Sequence, residues 1–278
     1  MTRKCILLGL SAGLILSVAV LPVQADNEKG SAVIKGRVVF EGDPPPTKPL
    51  SIGGDQHCVA SHSKPQPDQG TIVYKNNDNA IPYTFVYIKS GVKGKYDPPK
   101  EPVVLDQKDC MYHPHVWGMV AGQEIHIKNS DPTNHNVNSQ AQKNPRFNFA
   151  QAQKGMVKEL KGRETFNREE IMIKLKCDVH QWMASYCGVL THPFFSVSKS
   201  HEDDGGDASK RGTFEIKNLP SGEYEVATWH PTFGELNEKV TIADGETKEV
   251  TFKYNAKKAE APQAREVILS TETDDSKK

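Results

Sequence analysis

Residues 171–190 read Ile-Met-Ile-Lys-Leu-Lys-Cys-Asp-Val-His-Gln-Trp-Met-Ala-Ser-Tyr-Cys-Gly-Val-Leu. The first six residues and the last five have the β-rich character of strands, and the seven from Cys177 to Met183 interrupt that pattern between them. Strand, short loop, strand is therefore the expected local order. The loop carries a thiol at Cys177, an imidazole at His180 and a thioether at Met183. A soft thiolate, a borderline imidazole and a weak thioether form most of a set that suits a redox-active soft metal, lacking one more imidazole. His135, in Asp131-Pro-Thr-Asn-His-Asn-Val137, lies just beyond the alternating segment 124–128 and can supply it from a neighbouring strand.

Each part is weak alone. A Cys-x-x-His pair is often incidental, a lone loop histidine is common, and a methionine beside a tryptophan is more often core than ligand. Together, between strands of a β-rich chain, His135, Cys177, His180 and Met183 point to one mononuclear copper ion. Zinc is the rival metal, but a thioether is a poor zinc ligand.

The rest of the chain also reads as strand and turn. A strand over 33–40 ends at Gly42-Asp-Pro-Pro-Pro46, and 47–70 is a Pro-, Ser- and Gly-rich loop. Strands are expected at 71–74 and 83–89, with another loop at 91–102. The runs 116–120 and 124–128, joined by Ala121-Gly122-Gln123, read as a hairpin. Residues 138–168 are polar and irregular and read as a long loop, and 201–211 as a charged hinge. Short strands at 212–216, 224–228, 239–242 and 249–254 indicate a small antiparallel sandwich. The fold class is all-β. The polar end 256–278 is expected to be a disordered tail.

With 278 residues there is length for two modest domains, and Lys+Arg and Asp+Glu both number 35, so no charge excess points to nucleic acid. Arg3 and Lys4, an apolar run over 6–21 and Val23-Gln24-Ala25 match an export signal over residues 1–25. The mature protein is then expected in the periplasm, cell envelope or extracellular space, with no membrane span after cleavage. Export favours disulfides. If Cys177 binds metal, then Cys58, Cys110 and Cys187 allow at most one internal bond; Cys58–Cys110 is the expected pair, with Cys187 a buried apolar thiol.

His113-Pro-His115 puts two rings on one face of an extended segment, but no third ligand is evident, so structural or surface histidines are the better reading. His57 and His62 read as solvated loop residues, and Trp229-His230-Pro231 as a packed strand end. No nucleophile elbow, phosphate loop or zinc-protease helix is present, so no catalytic role is expected.

On Met119-Val-Ala-Gly-Gln-Glu-Ile125, His135-Asn136-Val137 and the Cys-x-x-His-x-x-Met loop, residues 83–192 resemble the cupredoxins, most closely the amicyanins, whose ligand loop has the same length. The resemblance implies a Greek-key sandwich with a type 1 copper site, His180 near the surface as the electron port, and Asn136 hydrogen-bonded across to backbone beside Cys177. It also implies one-electron transfer with a redox protein partner; copper storage or delivery, or a scaffold without redox use, are the alternatives. The long segment 138–168 and the extra thiols depart from the family. Residues 193–255, through Gly212-Thr-Phe-Glu-Ile216 and Leu219-Pro-Ser-Gly-Glu-Tyr224, resemble the carboxypeptidase-regulatory, prealbumin-like β modules that also accompany rhamnogalacturonan and other polysaccharide lyases. That resemblance implies a spacer or binding role. Residues 26–82 would then supply an opening strand to the same module.

Overall fold

Period-two alternation dominates the chain and strands result. The computed structural model describes residues 30–256. The expected export signal, and all but the first residue of the expected tail, lie outside them. In chain order the elements are β1 (Ala32–Phe40), α1 (Gln56–Ser61), β2 (Phe85–Ser90), β3 (Val103–Lys108), β4 (Met111–His113), β5 (Val116–Val120), β6 (Ile125–Asn129), β7 (His135–Ser139) and β8 (Asn148–Gln151). There follow β9 (Val157–Leu160), β10 (Glu170–Lys176), β11 (Ala184–Leu190), β12 (Phe195–Val197), β13 (Thr213–Leu219), β14 (Gly222–His230), β15 (Gly234–Ile242) and β16 (Thr247–Tyr254). The chain is all-β. Among the described residues no helix is long and apolar enough to cross a membrane.

The strands form four sheets, ordered β13-β1-β16, β12-β2-β14-β15, β5-β11-β10-β7-β8 and β4-β3-β6-β9. The first two share one apolar core, built on Ile34, Val38, Val86, Ile88, Phe214, Val226 and Phe252. The other two share a second, built on Leu105, Met119, Ile125, Ile127, Val137, Ile173, Leu175 and Val189. β1 lies between β13 and β16, antiparallel to the first and parallel to the second. β2, early in the segment 83–192, hydrogen-bonds to β12 and β14.

Two sequence expectations are corrected here. Segments 116–120 and 124–128 do not form a hairpin. β5 runs parallel to β11 while β6 runs parallel to β3, so the two lie in different sheets. The turn at Gly122, with φ of 88°, carries the chain from one layer to the other. Alternation told which residues face inward; it carries no information on which strand is the neighbour. Second, 138–168 is not one loop. It contains β8, paired to β7, and β9, paired to β6. Both are edge strands, on which Asn148, Lys158 and Glu159 face outward, and at an edge burial does not enforce apolar alternation.

A third apolar cluster joins the two cores, and includes Phe85, Tyr87, Val116 and Leu190. Two glycines make room for it. Gly118 on β5 and Gly188 on β11 face each other in register. A Cβ at Gly118 would lie 2.6 Å from the Phe85 ring and 2.5 Å from the Phe195 ring, and one at Gly188 2.5 Å from Phe85. Gly118→Ala is therefore expected to destabilise the protein by about 1–3 kcal/mol through overpacking, read as a lowered urea midpoint. Two imidazoles also lie in apolar surroundings. Burial holds His192 at about 4, and burial together with His115 holds His230 at about 3. Both are neutral when folded and take up protons near pH 6.5 when unfolded, so their contribution is complete above about pH 6.5 and is lost as the pH falls towards their folded values. Urea titrations at pH 6.5 and pH 5 should differ by roughly 2 kcal/mol for each.

Candidate metal centre

The loop 177–183 is a tight arch. Lys176 and Ala184 pair across its base. Inside it, the Cys177 N–H donates to the Met183 carbonyl at 3.2 Å, and the Met183 N–H to the His180 carbonyl at 3.0 Å. The His180 N–H donates to the Cys177 sulfur at 3.3 Å. The sulfur is thus aimed back into its own loop. β7 lies beside β10, with Asn138 opposite Lys176, and this register brings His135 to the same end of the sheet.

The three side chains converge. His135 Nδ1 is 2.9 Å from His180 Nδ1, and Cys177 Sγ is 3.9 Å from His180 Nδ1. One donor atom from each lies within 4.8 Å of the other two. Exposure is 0% for His135, 1% for Cys177 and 3% for His180. Met183 is fully buried in the same apolar cluster as Cys177.

Protonation is arranged by neighbours. His135 Nε2 donates to Asp131 Oδ2 at 2.9 Å. A carboxylate accepts only, so Nε2 keeps the proton and the Nδ1 lone pair faces the site. Burial opposes ionisation of Cys177, but the neighbouring His135 ring and hydrogen bonds from the N–H groups of Asn136, His180 and Val179 outweigh it and bring the thiol below its ordinary value. Burial likewise disfavours a charged His135, yet Asp131 and Cys177 raise it. Burial, then the charge of His135, lower His180. A thiolate facing nitrogen donors suits a soft cation. The chemistry of these donors fits a soft cation such as copper: His135, Cys177 and His180 could hold one, and Met183 lies in the same apolar cluster as Cys177.

The residue after each of two ligands ties the loops together. The Asp178 N–H donates to Asn136 Oδ1 at 2.5 Å, which is backbone beside Cys177. The Asp178 carboxylate in turn accepts from Asn138 at 2.8 Å and Asn148 at 2.9 Å. Lys176 lies 2.8 Å from the same carboxylate. Lys176 first, then these amides, hold Asp178 well below the usual carboxylate range.

Asp131, Asp178 and Asn148 did not stand out in the sequence, since a polar residue in a turn has many uses. The spacing of Asp131 four residues before His135 is the one local cue.

One expectation is overturned. His180 is not at the surface. The expected disulfide between Cys58 and Cys110 is formed, and it draws α1 across the imidazole. Cys58 Sγ is 3.7 Å and Asp55 Oδ2 3.5 Å from His180 Nε2. Trp182, half-buried, packs with its ring centre 5.0 Å from that of His180 and donates from Nε1 to the Cys110 carbonyl at 3.0 Å. Segment 47–70, read as an open loop, therefore contains the cover of the site. Cys187 is free and fully buried, and burial raises its thiol.

His113 and His115 stay apart from this centre. Burial lowers His115 to about 4, and its Nδ1 donates to the Ala184 carbonyl at 3.0 Å. His113 is 3.9 Å from Glu202.

No family model matches the sequence, and no curated protein matches it. Solved structures do. The Cu-containing nitrite reductase (NirK) from Thermus scotoductus SA-01 is similar over 38% of this chain and 25% of its own, with 17% identity and a TM-score of 0.30. This chain thus spans about a quarter of that reductase. A purple cupredoxin from Nitrosopumilus maritimus is similar over 32% of this chain and 99% of its own, with 19% identity and a TM-score of 0.27. An oxidized mutant of amicyanin is similar over 38% of this chain and 98% of its own, with 17% identity and a TM-score of 0.28.

Asp131 is the strongest test of this arrangement. Asp131→Ala would leave three donors without an acceptor: His135 Nε2 and the N–H groups of Asp109 and Cys110. The loss is expected to reach about 3 kcal/mol in urea unfolding, whereas Glu249→Ala, which removes an exposed carboxylate facing Lys35, should cost less than about 1 kcal/mol.

Proposed function

We propose that this chain is an exported cupredoxin-type protein that binds one copper ion through His135, Cys177 and His180, with Met183 as the weak fourth ligand, and that it carries single electrons between redox partners without being an enzyme. The observation that carries this reading is the convergence of a ring nitrogen from each of His135 and His180 with the Cys177 sulfur within 4.8 Å of one another, all three side chains buried. His135 comes from β7, 45 residues before His180, so its meeting with the Cys177 loop is not an accident of local geometry. Copper bound there supplies a one-electron couple.

The chain's own contribution is to hold the donors still. Asp131 fixes the tautomer and orientation of His135. Asn136 and Asp178 fasten the ligand loop to β7 and β8. Burial keeps water away from Cys177. Donors that cannot move far favour electron transfer over chemistry on a bound substrate. With the His180 edge covered by α1, the half-buried Trp182 becomes the contact through which a partner would reach the ligand set.

Storage or delivery of copper as cargo asks for ready exchange, and the cover over His180 disfavours it. The segment 193–255 would act as a spacer or docking module of the carboxypeptidase-regulatory, prealbumin-like kind, in the periplasm or cell envelope.

Loading the metal-free protein with cupric ion should give one equivalent of bound copper and an intense visible band from thiolate-to-Cu(II) charge transfer. Cys177→Ser should abolish the band while circular dichroism shows the β fold intact. A band that survives this substitution, or a folded protein that binds no copper, would refute the proposal.

A further inference from the structure

The disulfide that covers His180 sits among more metal-binding groups than a staple requires. Asp55, Cys58 and His180 place one donor atom each within 4.8 Å of one another, and so do His57, Cys110 and Asp131. Each trio contains one half of the same bond. The two sulfurs are joined to each other, so the donors form one continuous group around a pair of atoms that can hold no ion while they share electrons.

Each half is also held in place without the other. The Cys58 N–H donates to Asp55 at 3.0 Å, and Asp55 accepts from Thr133 Oγ1 at 2.6 Å. The Cys110 N–H donates to Asp131 at 2.8 Å, and its carbonyl accepts from Trp182. His57 lies 3.4 Å from Asp131 and is 31% exposed, so its ring can turn towards the sulfurs from the solvent side. Opening the bond would free two thiols that remain tethered side by side, with the imidazoles of His57 and His180 and two carboxylates about them.

We propose that reduction of Cys58–Cys110 creates a second metal site, with both sulfurs and a ring nitrogen of His57 as ligands, for a soft d10 cation such as cuprous ion. A dithiol would open the bond by exchange. It gives two electrons and two protons and leaves as its own disulfide, and the two thiol protons of Cys58 and Cys110 are released when the cation binds. Two thiolates and one imidazole match the preference of Cu(I) for soft donors in low coordination. The chain would then take up a second ion only under reducing conditions. This inference does not require copper at Cys177, because the second ion is counted above whatever the oxidised protein holds.

The test uses the full protein without oxygen. Tris(2-carboxyethyl)phosphine, itself converted to the phosphine oxide with oxygen from water, opens the bond and is then removed. A thiol count establishes opening, and circular dichroism establishes that the protein is folded. Cuprous ion is supplied from a coloured chelator and bound copper is measured for oxidised and reduced protein. The reduced form should retain one equivalent more than the oxidised form. That increment should vanish in Cys58→Ser/Cys110→Ser and in His57→Ala, while the His57→Ala protein still retains the first equivalent and, kept oxidised and loaded separately with cupric ion, still shows the visible band. His57→Ala, at a half-exposed position, decides the matter if the double variant does not fold. Equal copper in both forms, a bond that stays closed in the folded protein, or an increment that survives these substitutions would overturn the proposal. Loss of the visible band in oxidised protein would count against the Cys177 site alone.

Discussion

One buried carboxylate, Asp131, organises the end of the sandwich where the ligands meet. It accepts the N–H groups of Asp109 and Cys110. Those two residues form the whole turn between β3 and β4, and both have positive φ, 53° and 54°. Such a turn matches the twist of a hairpin, but the left-handed region is unfavourable for residues other than glycine, asparagine and aspartate. The carboxylate compensates by satisfying both amides at once. Its other oxygen contact orients His135. The turn that presents Cys110 and the ring that faces the site are therefore set by the same group. Burial opposes its charge, yet these hydrogen bonds keep it ionised.

This coupling explains why the converging donor side chains stand out in the sequence and their surroundings do not. The donors announce themselves: thiolate, imidazole and thioether in seven residues between two strands are rare. β6, β10 and β11 were equally plain, because alternation and β-branched content are local. The covering of His180 depends on a disulfide whose partners are far apart in the chain, and the six-residue helix it anchors lies in a segment whose proline and glycine content suggested only loop. The strands β8 and β9 escaped notice because edge strands need no apolar face. The pairing of β5 with β11, in place of a β5–β6 hairpin, is decided by packing between layers, which no window of sequence contains.

The ligand side and the cover are built differently. On the ligand side, amide side chains from β7 and β8 converge on Asp178 and brace the loop by a polar network at the surface. On the cover side, a disulfide, a half-buried tryptophan and a short capped helix close the pocket with few backbone ladder bonds. The first arrangement is rigid because many hydrogen bonds would have to break together. The second depends mainly on one covalent link.

The position of β1 has a consequence for how the chain assembles. It is the earliest strand described, yet it lies in the middle of its sheet, and Val33 pairs with Thr247 near the far end of the chain. That sheet cannot be completed until β16 has been made. The sandwich that carries the ligands is encoded wholly between those two strands and has every partner it needs much sooner. Its local pairings close shorter loops, so it is placed to condense first and to hold the separated halves of the other sandwich near each other until the last strand arrives.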